Sequence, residues 1–173
     1  MSSTLDRRRG RKTEPGGPCS LALRWLARRP LTEAEIRKRL AGKGFSAADA
    51  DRTVDDLVGR RLLDDDALAL DFVVLRSSRL RLGKGRLMRE LEQRGVDAGV
   101  ADRAYRQAVE SGELDPENLL RESVARRLQR DRDPTAASSR RIYNALLRAG
   151  FPAAELYAEL KRQRAALDYL AEY

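Results

Sequence analysis

The 173-residue chain is 36% charged and only 5% aromatic, and 35 Lys and Arg against 27 Asp and Glu give it a formal charge of +8. It has no histidine, which removes imidazole acid–base catalysis, His-containing triads and dyads, and His-bearing zinc sites; its one cysteine, Cys19, excludes an intrachain disulfide, a CxxC pair and a thiolate cluster. Leu, Ala, Arg and Glu outnumber β-branched and aromatic residues, so propensity favours helices, and the basic balance points to a polyanion or an acidic protein surface.

Residues 1–18 carry five basic and two acidic side chains among Gly, Pro and Ser, the composition of a disordered basic arm. They hold no apolar core of a secretory signal. No later segment approaches the roughly 20 apolar residues of a spanning helix, so a soluble, cytoplasmic monomer with no membrane partner is expected.

A first helix is expected over 20–28, with Trp25 in the core beside Ala22, Leu23 and Leu26, ending at Pro30. Thr32 and Glu35 form a capping box for the second helix, and Ser46 caps the third, which is to bury Val54, Leu57 and Val58. Asp64, Asp65 and Asp66 stand at the next junction, where capping and the helix dipole explain them without a metal. The helix over 66–81 should face Leu68, Phe72, Val73 and Leu75 inward. Gly83-Lys84-Gly85 lacks the preceding strand and the Ser or Thr of a phosphate loop; it reads as a flexible turn whose amides and Lys84 are open to a phosphate. After a further helix, Asp97 caps one that is to bury Val100, Tyr105, Ala108 and Val109. A helix over 116–130 faces Leu119, Leu120, Val124 and Leu128 inward, and DRDPTAASS at 131–139 reads as a hinge. The last helix follows Pro152 and buries Leu156 and Leu160.

Self-similarity organises these elements. IRKRLAGKGF at 36–45, LMRELEQRGV at 87–96 and IYNALLRAGF at 142–151 each place an aliphatic residue four before Leu, Gly four later, and then a large apolar residue. The i, i+4 pair marks one helix face, Gly suits the left-handed position ending a helix, and the apolar residue packs back on the last turn. With a helix before and after each copy, the chain reads as all-α: three tandem three-helix repeats over 19–65, 66–111 and 112–173, the last carrying the C-terminal tail, stacked into an elongated, curved array.

The excess charge is concentrated. Residues 76–94 hold Arg76, Arg79, Arg81, Lys84, Arg86, Arg89 and Arg94 against two acids, Glu90 and Glu92. Such a run repels itself and calls for an anion, which arginine takes through its bidentate fork. Arg79, Arg86 and Arg89 are expected to project together. Arg126, Arg127 and Arg130, with Arg140 and Arg141, make a second, weaker patch.

Four stretches, ALRWLARRPLTEAEIRKRLAGKGF, GRRLLDDDALALDFV, RLRLGKGRLMRELEQRGV and IYNALLRAGF, together resemble the RecX family of bacterial regulatory proteins over roughly residues 20–165. The resemblance implies three tandem three-helix repeats and a partner, the helical filament of the recombinase RecA on single-stranded DNA, whose ATP hydrolysis and strand exchange such proteins dampen; some also touch DNA directly. It implies no catalytic residue and no cofactor. A general nucleic-acid-binding protein, competing for DNA, is the alternative.

Overall fold

The computed structural model describes residues 16–130 and 136–171, and among them every regular element is an α-helix. They are α1 (Pro18–Leu26), α2 (Glu33–Gly42), α3 (Ala47–Gly59), α4 (Asp65–Leu80), α5 (Lys84–Gln93), α6 (Ala98–Glu110), α7 (Pro116–Arg130), α8 (Ala136–Arg148) and α9 (Ala153–Ala171). The expected basic arm lies almost wholly outside the described residues, as does the first half of the expected hinge. Its second half is no hinge: residues 136–139 are the first turn of α8, and Ser138 is fully buried.

Local chemistry fixes where the helices begin. Thr32 Oγ1 accepts from the Glu35 amide, and the Glu35 carboxylate accepts from the Thr32 amide, both at 3.0 Å, completing the box that opens α2. Ser46 Oγ accepts from the Asp49 amide at 3.1 Å to open α3, and Asp97 accepts from the Gly99 and Val100 amides to open α6. The same turn closes the middle helix of every repeat. Gly44, Gly95 and Gly150 take φ of 88°, 80° and 93°. The next amides, of Phe45, Val96 and Phe151, reach back to the carbonyls of Leu40, Leu91 and Leu146 at 3.1–3.3 Å. This is the pairing that lets a left-handed residue end a helix without orphaning its carbonyls.

A second recurring turn, not anticipated from sequence, ends the third helix of the first two repeats. Arg61 (φ 57°) and Gly112 (φ 77°), 51 residues apart, donate to the carbonyls of Val58 and Val109. Leu63 and Leu114 then fold back into the cores.

The helices form two compact units that divide between Asp64 and Asp65. In the first, α1–α3 enclose Ala22, Leu31, Ile36, Leu40, Val54 and Leu57, with Trp25 half-buried at the edge under Arg39. In the second, α4–α6 enclose Val73, Leu87, Leu91 and Ala108, while α7–α9 enclose Val124, Ile142, Leu146 and Leu156; Leu119 packs against both clusters.

Several residues expected inside are outside. Leu75 is 47% exposed, and Leu23, Val58 and Val109 are exposed as well. Each lies one or two residues past a buried neighbour (Val73, Ala22, Leu57 and Ala108), a rotation of about 100–200° around the helix. The apolar runs are wider than the faces they cover.

Candidate anion-binding pocket

Gly83-Lys84-Gly85 is not a flexible turn, and its two glycine amides are not open to a phosphate. The Gly83 amide donates to the Ala149 carbonyl at 2.8 Å and the Gly85 amide to the Gly150 carbonyl at 3.0 Å. A Cβ on Gly83 would lie 2.6 Å from the Gly150 carbonyl group, and one on Gly150 would lie 2.2 Å from the Arg86 amide nitrogen. Glycine is required here because two backbones meet without side chains between them. Lys84 is also engaged: its Nζ meets Asp102 at 2.8 Å and sits 4.9 Å from the Tyr105 ring centre. The hydrogen bond from Lys84 and then its charge hold the Asp102 carboxyl below its ordinary value. Burial, then the charge of Glu155, raises the Tyr105 hydroxyl.

The remaining members of the 76–94 run separate into engaged and unengaged groups. Arg86 Nε meets Glu90 at 2.8 Å, and Arg76 reaches the same carboxylate at 3.9 Å. Arg76 and Arg94 lie over the Phe72 ring. Arg81, in the left-handed conformation (φ 53°) just beyond α4, meets Glu122 of α7 at 2.7 Å. Its hydrogen bond, with that of Asn118, holds the Glu122 carboxyl below the ordinary carboxylate value. Arg79 and Arg89 are exposed and have no ion pair among the described residues. Arg79 does not share a pocket with Arg86 or Arg89.

Arg79 instead joins the second patch. Ser123, Arg126, Arg127 and Arg130 stand at i, i+3, i+4 and i+7 on one face of α7, beside the apolar row of Leu120, Val124 and Leu128 that anchors the helix. This basic face, the end of α4 with the residue after it (Arg79, Leu80, Arg81) and the end of α8 with the residue after it (Leu146, Ala149) line a pocket of about 260 Å³. No acidic residue lines it. Among the described residues Arg79, Arg127 and Arg130 have no carboxylate partner, and Arg126 acts on Glu122 only through its charge. Ser123 is 4% exposed, and its Oγ has no hydrogen-bond partner. Four guanidinium groups without an ion pair, beside an unsatisfied hydroxyl, form a donor set that an oxyanion completes.

A second pocket, of about 410 Å³, adjoins the first through Arg127, which lines both; Arg141, Asn144 and Arg148 of α8 are among its other walls. Arg141 and Arg148 likewise have no ion pair among the described residues. Arg140 is exposed on the same helix but lines neither pocket. Sequence proximity ranked the 76–94 run above 126–130, whereas the fold joins one member of the first to all of the second. The i, i+3, i+4, i+7 spacing on α7 was the signal that could have promoted it.

Among the described residues no group of three His, Cys, Asp or Glu side chains could hold a metal, and no helix is long and apolar enough to cross a membrane.

A family model described as "RecX, first three-helix domain" matches residues 20–57, the span of α1–α3. The chain is 33% identical over 135 residues to the "Regulatory protein RecX" of Corynebacterium efficiens, covering 76% of this chain and 64%, just under two thirds, of that one. Against the protein of the same name from Mycobacterium marinum, identity is 34% over 158 residues, covering 84% of this chain and 88% of the relative. Among solved structures, a crystal structure of regulatory protein RecX superposes with a TM-score of 0.69 at 23% identity, over 84% of this chain and 70% of that one. The RecX structure from Lactobacillus salivarius gives 0.67 at 19% identity, over 84% and 93%. The all-helical fold is therefore shared with these two solved structures.

Proposed function

Because this chain belongs to the RecX family of regulatory proteins, we propose that it is a non-enzymatic modulator of the RecA filament on single-stranded DNA, lowering its ATP hydrolysis and strand exchange. The observation that carries this reading beyond the family is the pocket lined by Arg79, Arg126, Arg127 and Arg130, whose guanidinium groups form no ion pair within the described part of the chain. A protein that keeps such a surface gives up stability to self-repulsion in return for an anionic partner. Filament subunits and the strand they coat supply anions at regular intervals. Binding that holds neighbouring subunits in one arrangement lowers the population of the states that hydrolyse ATP, which is linkage and requires no catalytic group.

The test is ATP hydrolysis by the cognate recombinase on single-stranded DNA, with this protein added far below one copy per DNA-binding site. Strong inhibition at that ratio is expected, since recognition of the filament acts on many subunits per bound copy. Inhibition appearing only when the DNA is saturated would leave the second reading, a general nucleic-acid-binding protein that competes for the strand, which the unpaired arginines equally favour.

A further inference from the structure

We infer that the pocket between α4 and α7 is a discrete site for a small, multiply charged oxyanion: a diphosphate group, either inorganic pyrophosphate or the end of a free nucleoside triphosphate. The occupant is a soluble molecule, and its binding needs nothing from the recombinase reading.

The repeats show how the site arises. The buried pair Val73 and Val124 fixes an offset of 51 residues between α4 and α7, and Leu91 and Leu146 fix one of 55 between α5 and α8. Phe72 then stands where Ser123 does, and Arg76 where Arg127 does. In the second repeat that arginine is satisfied twice: its guanidinium lies 5.1 Å from the centre of the Phe72 ring and 3.9 Å from the Glu90 carboxylate of α5. The third repeat lacks both partners, because Ser123 is too small to fill the space of a ring and the counterpart of Glu90 is Ala145. In the first repeat the same positions are filled again. Leu21 is buried in place of Phe72, and Arg39 of α2 lies over Trp25, which stands in place of Arg76. The third repeat therefore carries an arginine without its usual partners, a cavity in place of a large side chain, and a buried hydroxyl with no hydrogen-bond partner.

Charge and size select the ligand. Arg79, Arg126, Arg127 and Arg130 bring four guanidinium groups without an ion pair to one pocket. A phosphodiester offers a single charge, whereas a terminal phosphate carries about −1.5 to −2 at pH 7 and a diphosphate more. At about 260 Å³ the pocket is smaller than the roughly 300–1,000 Å³ of sites for drug-sized ligands, so it suits a compact head group and leaves a nucleoside outside. No aromatic residue lines it, so nothing there stacks a base. Oxygens on two neighbouring phosphorus atoms meet several guanidinium forks at once, and the Ser123 hydroxyl donates to one more. An occupant that bridges Arg79 at the end of α4 to the arginine row on α7 also ties the second repeat to the third.

The experiment is isothermal titration calorimetry of the full chain with sodium pyrophosphate, without divalent metal and with ionic strength held constant by sodium chloride. One pyrophosphate per chain is expected, and AMP should bind at least about tenfold more weakly, the difference made by one or more charge-assisted hydrogen bonds. ATP that competes with pyrophosphate adds the terminal phosphates of free nucleotides to the ligands; ATP that does not compete restricts the site to the inorganic ion, and the inference stands in both cases. Ser123→Ala, Arg79→Gln/Arg130→Gln and Ala145→Glu should each weaken pyrophosphate binding about tenfold. The last of these gives Arg127 the carboxylate that Glu90 gives Arg76. Helicity by circular dichroism should be unchanged, because Arg79 and Arg130 are exposed and Ala145 is only half-buried. Arg89→Gln removes an exposed arginine of α5 that lines no wall of the pocket and should leave the affinity as it was. Pyrophosphate bound no more tightly than AMP, affinity retained in all three pocket variants, or an equal loss in Arg89→Gln would each overturn the inference and leave the arginines a diffuse basic surface.

Discussion

Replacing Gly150 by alanine should cost this protein far more than the same change at Gly112, although both residues end helices with positive φ. At Gly112 (φ 77°) a new methyl group meets nothing within 4 Å, so the cost is that of the left-handed conformation alone, about 1 kcal/mol. At Gly150 (φ 93°) the same conformational cost applies, and the methyl would fall 2.2 Å from the Arg86 nitrogen and 2.9 Å from the Gly83 carbonyl oxygen. Both neighbours are backbone and cannot swing aside, so the start of α5 must part from the α8–α9 turn. That breaks the Gly83–Ala149 and Gly85–Gly150 hydrogen bonds, about 1 kcal/mol each, for a total near 3 kcal/mol. Gly83→Ala isolates the second effect. Its φ is −77°, which alanine accepts, so it should lose about 2 kcal/mol from the parted backbones and regain about 0.5 kcal/mol from a less flexible unfolded chain. Urea unfolding of the three variants should therefore rank Gly150→Ala as most damaging, with Gly112→Ala and Gly83→Ala each costing about 1–2 kcal/mol. A neutral Gly83→Ala, or equal losses at Gly150 and Gly112, would refute the close approach of the two backbones.

Other expectations follow from single contacts. Thr32→Ala removes the hydroxyl that caps α2 from a fully buried site and should cost about 1–2 kcal/mol, whereas Thr32→Ser should retain most of the stability; equal losses would deny the cap. Ser123→Ala deletes a buried hydroxyl without a partner, so the chain should become more stable by up to about 1 kcal/mol while binding pyrophosphate less tightly; a destabilised variant would show that the hydroxyl is satisfied in solution. Glu122 and Asp102 titrate below their ordinary 4.5 and 3.8 because of Arg81 and Lys84. A carboxyl with a lowered folded pKa binds more protons when unfolded, so its contribution is complete above the ordinary value and is lost as pH falls through the folded one. Thermal midpoints measured downward from pH 6 should drop less steeply in Arg81→Gln/Lys84→Gln than in the parent chain, by a small margin because both carboxylates are exposed.

The helices were readable because their signals are local. Thr32 with Glu35, Ser46, Asp97 and the glycines at 44, 95 and 150 act on amides and carbonyls within a few residues of themselves, and the threefold recurrence exposed the repeat. The turn at Arg61 was hidden because arginine stands where glycine would announce it. Aligning RLLD at 61–64 with GELD at 112–115 would have revealed it, since the offset is the same 51 residues as between Gly44 and Gly95. The pairing of Gly83 with Gly150 had no local signal, because its cause lies 67 residues away in the chain. The pocket was half legible: arginine is visible in a sequence, but whether it is neutralised depends on carboxylates brought from elsewhere. Glu90 takes Arg86, Asp102 takes Lys84 and Glu122 takes Arg81, leaving Arg79 to join α7.

The glycine contact also turns two amides into a gauge. Leu80 and Arg81 form one wall of the arginine pocket, Leu146 and Ala149 another. Just behind them the Gly83 amide is bonded to the Ala149 carbonyl, with the Gly85 amide bonded one residue further on. Those two protons can trade with deuterated solvent only when the second and third repeats separate at this seam. Their exchange therefore times the opening of the seam itself, independently of how fast any single helix frays. An anion bridging Arg79 of α4 to the guanidinium groups of α7 pulls on the same seam from the other side, so occupancy of a surface pocket is written into the isotope content of two hydrogen-bonded glycine amides.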